Sequence, residues 1–283
     1  VTPLVTLAVL VAAVTHASWN AIAHGIKDQL LSFTLISGGG ALIGVAAAFF
    51  APLPAAGAWP FLIASALLHV GYYALLMRSF TLGDFGQMYP IARGSAPLVV
   101  TALAALFLDE VPGGWQLLGV AVACAGLTGL ALWGIRGKDT RPHWPALLAA
   151  GATGLSIALY TVVDGVGVRA SGTPLGYVAW LMIMEGLAIP AYALWTRRAA
   201  LVPQLRPYAA RGLLGAALSV AAYGLILWAQ TKAPLAPIAA LRESSIIVGA
   251  AIGALFFKER FGGPRIAAAG LMVVGISLML RAG

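Results

Sequence analysis

Ten apolar runs, each close to twenty residues long and separated by short gaps, restrict this chain more than any other feature. They fall at 3–22, 30–51, 59–79, 86–108, 115–134, 144–164, 176–196, 212–231, 235–257 and 264–281. About 20 apolar residues is what a helix needs to cross the ~30 Å hydrocarbon core of a bilayer, and in lipid only helices and closed barrels satisfy their own backbone. The first run lacks a basic leader and is followed by nine more, so it is expected to stay as a helix and not to be cleaved. No gap has room for a soluble domain.

Composition agrees. Hydrophobic residues make up 61% of the chain and charged residues 9%, against about a quarter charged in a soluble domain. The 17 Lys and Arg outnumber the 9 Asp and Glu, but they sit mostly in the gaps and no basic stripe is interleaved with aromatics, so nucleic acid is not an expected partner. One cysteine, Cys124, excludes a disulfide framework and a cysteine-based metal site. Neither H-E-x-x-H nor G-x-S-x-G nor a phosphate-cradling glycine loop occurs, so no catalytic residue, metal or cofactor is expected. The expected partners are a small-molecule substrate and the lipid bilayer.

The chain repeats itself. A shift of 149 residues carries Ala105-Leu106-Phe107-Leu108-Asp109-Glu110 onto Ala254-Leu255-Phe256-Phe257-Lys258-Glu259, Arg93 onto Arg242, Ser95 onto Ser244, Gly113-Gly114 onto Gly262-Gly263 and Gly126 onto Gly275. The shift maps the fourth span onto the ninth, and an odd number of spans reverses direction across the membrane. The expectation is an all-α membrane protein of ten transmembrane helices, built as two inverted five-helix repeats (1–140 and 141–283) around a central cavity.

The run A-L-F-x-x-E closing a helix, the paired glycines after it and the glycine-punctuated helix that follows, all occurring twice, resemble the EamA repeat of the drug/metabolite transporter superfamily. Ser18-Trp19-Asn20 is similar to that family's first helix. The resemblance implies a secondary transporter in a plasma membrane, such as a bacterial inner membrane, that exports small metabolites by alternating access. Among its branches the amino-acid exporters, for aromatic or other neutral side chains, are the expected kind. A transporter or channel for another small organic solute, such as a drug or a sugar phosphate, is the alternative.

Residues at i, i+3 and i+4 share a helix face, so polar and aromatic stripes at that spacing should turn from lipid toward a substrate. Such stripes are His16, Trp19 and Asn20; His69, Tyr72 and Tyr73; Tyr89 and Arg93; Ser156, Tyr160 and Asp164; Tyr177, Trp180 and Met184; and Ser219, Tyr223 and Gln230. Glu185 and Glu243 add carboxylates. The fifth and tenth spans carry almost nothing polar, so they are expected at the periphery, facing lipid or another copy; the chain would be a monomer or a weak homodimer through them. Trp59, Trp115, Trp133, Trp144 and Trp195 lie near span ends, where an interfacial aromatic belt forms.

Arg93 and Arg242 each lie inside a span, where a charge persists only with a partner, water or a function. They either meet an anionic substrate group or form structural pairs with Glu243, Glu185 or Asp164. Glu243 cannot serve Arg242 along one helix face, because adjacent residues diverge by about 100°; it needs an arginine or a ligand from elsewhere. Pro90, Pro97 and Pro237 interrupt the same two spans and are candidate hinges. Glu110 and Glu259 read as structural, tying a short loop or capping the next helix. Gly40 with Gly44 and Gly249 with Gly253 suit close helix contact, and Gly172 a turn. Finally, one side of the membrane would carry only Arg169, Lys232 and Arg281 and the other twelve basic residues, so the positive-inside bias puts both termini outside.

Overall fold

The computed structural model describes residues 1–82, 93, 96–136, 144–256 and 263–280, and all regular structure among them is helical. The longer elements are α1 (Pro3–His24), α2 (Gln29–Ala48), α3 (Trp59–Leu82), α4 (Ala96–Leu108), α5 (Gly114–Arg136), α6 (Trp144–Ala170), α7 (Pro174–Gly186), α8 (Ala188–Arg197), a short α9 (Leu201–Leu205), α10 (Ala209–Gln230), α11 (Leu235–Arg242), α12 (Ser245–Phe256) and α13 (Gly263–Leu280). Pro3–His24, Gln29–Ala48, Ala56–Arg78, Leu148–Ala170 and the segment Pro174–Gln230 contain stretches long and apolar enough to cross a bilayer. Their outer faces carry large apolar side chains that water would not tolerate in such number, Leu4, Leu42, Leu67 and Phe50 among them.

Polar residues start the helices where the chain leaves lipid. Thr2 caps α1 ahead of Pro3, Asp28 Oδ1 accepts from the N–H groups of Leu30 and Leu31, and Thr173 caps α7 ahead of Pro174. Each satisfies donors that the first helical turn leaves free. Gly172 turns the chain into α7 with φ of 69°, as a turn residue should.

The helices pair in a pattern that survives exchange of the two halves. α3 packs along α6 and α1 along α10; α2 packs on α7, α4 on α11, and α5 on α13. At the α5–α13 crossing the backbones approach closely. A methyl on Gly119 would lie 2.5 Å from the Gly275 carbonyl oxygen, and one on Gly275 2.6 Å from that of Gly119. A methyl on Gly126 would meet Ala268 O at 3.1 Å, and the 149-residue shift carries this second contact onto the first. Helices with small residues at their contact approach until backbones touch. The fifth and tenth spans therefore spend their glycine faces on each other, leaving Leu117, Leu118, Val273 and Val274 exposed on the outside.

Among the described residues two spans break, and only one of these breaks follows from proline. The seventh is divided between α7 and α8 at Leu187, because Pro190 has no N–H to return to Gly186. The ninth is divided at Glu243 and Ser244, where the backbone switches to short Glu243 N to Ala240 O and Ser244 N to Leu241 O bonds. Pro237, an expected hinge, sits instead in the first turn of α11, where its missing N–H costs nothing. Pro97 is the second residue of the described α4 and buried, its carbonyl accepting from Thr101 Oγ1 at 2.7 Å. Pro90 lies outside the described residues, as do Tyr89 and Glu259.

Candidate functional site

Both breaks place a carboxylate in the core. Glu243 at the α11–α12 break is 1% exposed and meets Arg93 in a two-pronged pair, Nε to Oε2 and Nη2 to Oε1 both at 2.8 Å. Arg93 is 2% exposed, and its remaining amino group lies 2.8 Å from His16 Nε2. Arginine and the indole N–H only donate, so a neutral His16 accepts from one of them, Arg93 at Nε2 or Trp19 at Nδ1, which lies 3.2 Å away. The chain thus supplies from another span the arginine that Glu243 needs.

Arg242 is placed differently. It is 4% exposed and lies 3.9 Å from Glu243, but its Nε has no hydrogen-bond partner among the described residues. Its guanidinium carbon stands 6.0 Å from the centre of the Tyr160 ring. Tyr160 stacks on His69 with centroids 4.0 Å apart, and Tyr72, Tyr73 and Tyr223 surround the pair edge-on or tilted.

On the far side of that stack lie two more buried carboxylates. Glu185, one residue before the end of α7, has Oε2 at 3.4 Å from His69 Nδ1, with no hydrogen-bond partner among the described residues. Ser65 engages the same His69 nitrogen. Asp164 is fully buried and accepts from Tyr177 at 2.9 Å and from Tyr223. A charge in so dry a place has to be paired, hydrogen-bonded or matched by a ligand. Arg242 Nε and Glu185 Oε2 are the charged-group atoms that the described structure leaves without a hydrogen bond.

Most of the residues proposed from the stripes therefore meet: His16, Trp19, His69, Tyr72, Tyr73, Arg93, Tyr160, Glu185, Tyr223, Arg242 and Glu243 form one connected core. Others go elsewhere. Asn20 bonds back to His16 O on its own helix. Gln230 ends α10, with its carbonyl oxygen taken by Arg169. Trp180 packs edge-on against Trp59 at 5.2 Å, which draws Trp59 inward from the interfacial belt, whereas Trp115, Trp144 and Trp195 are exposed as the belt requires. The sequence places Asp164 in a stripe and among the possible arginine partners; in the structure Tyr177 from α7 and Tyr223 from α10 hold it instead.

A multi-pass membrane protein with a dry, charged and aromatic core is the class that fold and site define. Residues 144–281 match the EamA-like transporter family. The match covers the second half of the chain and makes that half similar to a family of membrane transporters. A crystal structure of a protein 18% identical aligns over 98% of this chain and 99% of its own with a TM-score of 0.74, so the two share a fold. Among curated proteins none matches.

Proposed function

We propose that this transporter exports neutral amino acids by alternating access, across ten membrane crossings arranged as two inverted five-helix repeats. The observation that carries the substrate reading is a pair of buried atoms without a hydrogen bond among the described residues, Arg242 Nε and Glu185 Oε2, on either side of the His69–Tyr160 stack. A zwitterion offers a carboxylate to the first and an ammonium to the second. The rings of Tyr72, Tyr73, Tyr160 and Tyr223 offer flat apolar surface to its side chain, aromatic side chains included. A sugar phosphate fits less well, since it would want both arginines and Arg93 is already engaged by Glu243 and His16. The exchange-symmetric helix pairing supports the repeat, and the broken helices at Glu185 and Glu243 offer places for bending beside the site.

Counterflow into proteoliposomes from a panel of neutral amino acids, one sugar phosphate and one cationic drug tests the reading. Exchange is expected for amino acids and should be lost in Glu185→Gln. Exchange of the sugar phosphate or the drug alone would sink it.

The same proposal includes orientation in a plasma membrane, the bacterial inner membrane being the expected one, with both termini on the non-cytoplasmic side. A fluorescent protein that matures only in the cytoplasm, fused after Gly283, should stay dark. A bright fusion would reverse the assignment.

A further inference from the structure

At the end of the bundle that carries the N-terminus of α1, an ion pair between Arg169 and Glu110 links several helix ends. Arg169, in the last turn of α6, spreads its guanidinium over three acceptors: Glu110 Oε1 at 2.5 Å, Gln230 O at 2.8 Å and Ala233 O at 3.0 Å. The second oxygen of Glu110 accepts from the Leu235 N–H at 2.8 Å. Two side chains thereby join the end of α4, the end of α6, the last carbonyl of α10 and the first N–H of α11. Helix ends leave such groups without intrahelical partners, and here partners come from other helices and not from the neighbouring turn. Glu110, expected from the sequence to tie a short loop or cap the next helix, accepts instead from Arg169 and from the first N–H of α11. Asp109, with φ of 54°, turns the chain so that Glu110 reaches across to a residue 125 positions away.

We propose that Glu110 and Arg169 form the latch that closes this end of the transporter, and that breaking it is a step of the transport cycle. α4 packs on α6, and α1 packs on α10 and α11, so the latch ties the ends of α4 and α6 to the backbone of α10 and α11, and these two groups of helices are the ones that would part at this end. In an alternating-access protein such groups separate at one end while they stay joined at the other; these bonds exist only while this end is joined.

Burial separates the latch from the other cross-half pair. Arg93 and Glu243 are each 2% exposed at the side chain, whereas Arg169 and Glu110 are 34% and 17% exposed. Parting a dry pair strands two charges and is strongly disfavoured, while a pair already in contact with water exchanges its partner for solvent at small cost. The exposed pair is the one that can open and close repeatedly. Beneath it Val100, Ala104, Ala158, Leu235 and Ala239 pack between α4, α6 and α11 as an apolar plug.

The latch belongs to the transporter reading and is independent of the substrate. Ala239→Cys is placed within the plug, one turn below Leu235, in a Cys124→Ala background, in the full chain reconstituted in liposomes, and reacted with a membrane-impermeant maleimide admitted to the N-terminal side. Glu110→Gln, which keeps an acceptor for Leu235, and Arg169→Gln are each expected to raise the labelling rate at least about five-fold. The double variant should exceed the stronger single variant little, since both remove one interaction. Wild-type labelling rates in both folded single variants would overturn the latch. If Arg169→Gln does not fold, Arg169→Lys keeps the charge but loses the fork; an intermediate rise supports the latch and no rise overturns it. Labelling needs no substrate, so a failed amino-acid assay leaves this result standing.

Discussion

Arg242→Gln is expected to weaken amino-acid binding by one to two orders of magnitude while leaving a folded, monodisperse protein. Arg242 Nε has no hydrogen-bond partner among the described residues, and Glu243 keeps its two bonds to Arg93 when Arg242 is gone. What disappears is a charge-assisted contact to the substrate carboxylate, worth about 1.5–3 kcal/mol or roughly 10- to 150-fold in affinity. Equilibrium binding of a labelled neutral amino acid to detergent-purified protein measures it, with thermal unfolding as the control. Undiminished affinity in the folded variant would remove Arg242 from the site.

Arg93→Leu should fail in the opposite way, by loss of the fold. Arg93 and Glu243 are each almost wholly enclosed, and removing one partner leaves the other as a buried, uncompensated charge. That costs about 3–5 kcal/mol, enough to unfold many membrane proteins on extraction. Glu243→Gln in the same background should recover part of the loss, since it discharges the stranded carboxylate. Comparing the two single variants and the double variant by thermal unfolding in detergent isolates the coupling. An Arg93→Leu protein as stable as the parent would show that the pair is not structural.

The two arginines occupy equivalent places in the repeat, and nothing in the linear pattern separates them. What separates them is which one reaches Glu243, a choice made across 150 residues. The sequence does show that Glu243 needs a cation from another span, since helix geometry excludes its neighbour. It does not show from which span.

The breaks divide in the same manner. Pro190 marks the α7–α8 break for anyone counting back one turn to Gly186. The α11–α12 break at Glu243 and Ser244 has no proline or glycine to announce it. There the carboxylate is held by Arg93 from α4's side of the core, and the helix yields locally. Pro237, the visible candidate, causes no break because of its position in the turn.

Solvent and periodicity belong to the sequence by itself. Long apolar runs leave lipid as the environment, lipid leaves helices as the element, and the 149-residue echo relates one half to the other. A stripe of polar residues also tells which face of a helix turns from lipid, because face depends on local spacing alone. The tertiary structure decided the partners. It set Arg93 against Glu243, placed Arg242 over Tyr160, wrapped Asp164 in tyrosines and sent Glu110 across to Arg169 and Leu235. Ion pairs and hydrogen bonds are satisfied by distance in space, and a charge in a dry core takes whichever complementary group the packing brings within about 3 Å, however far away in the chain that group lies.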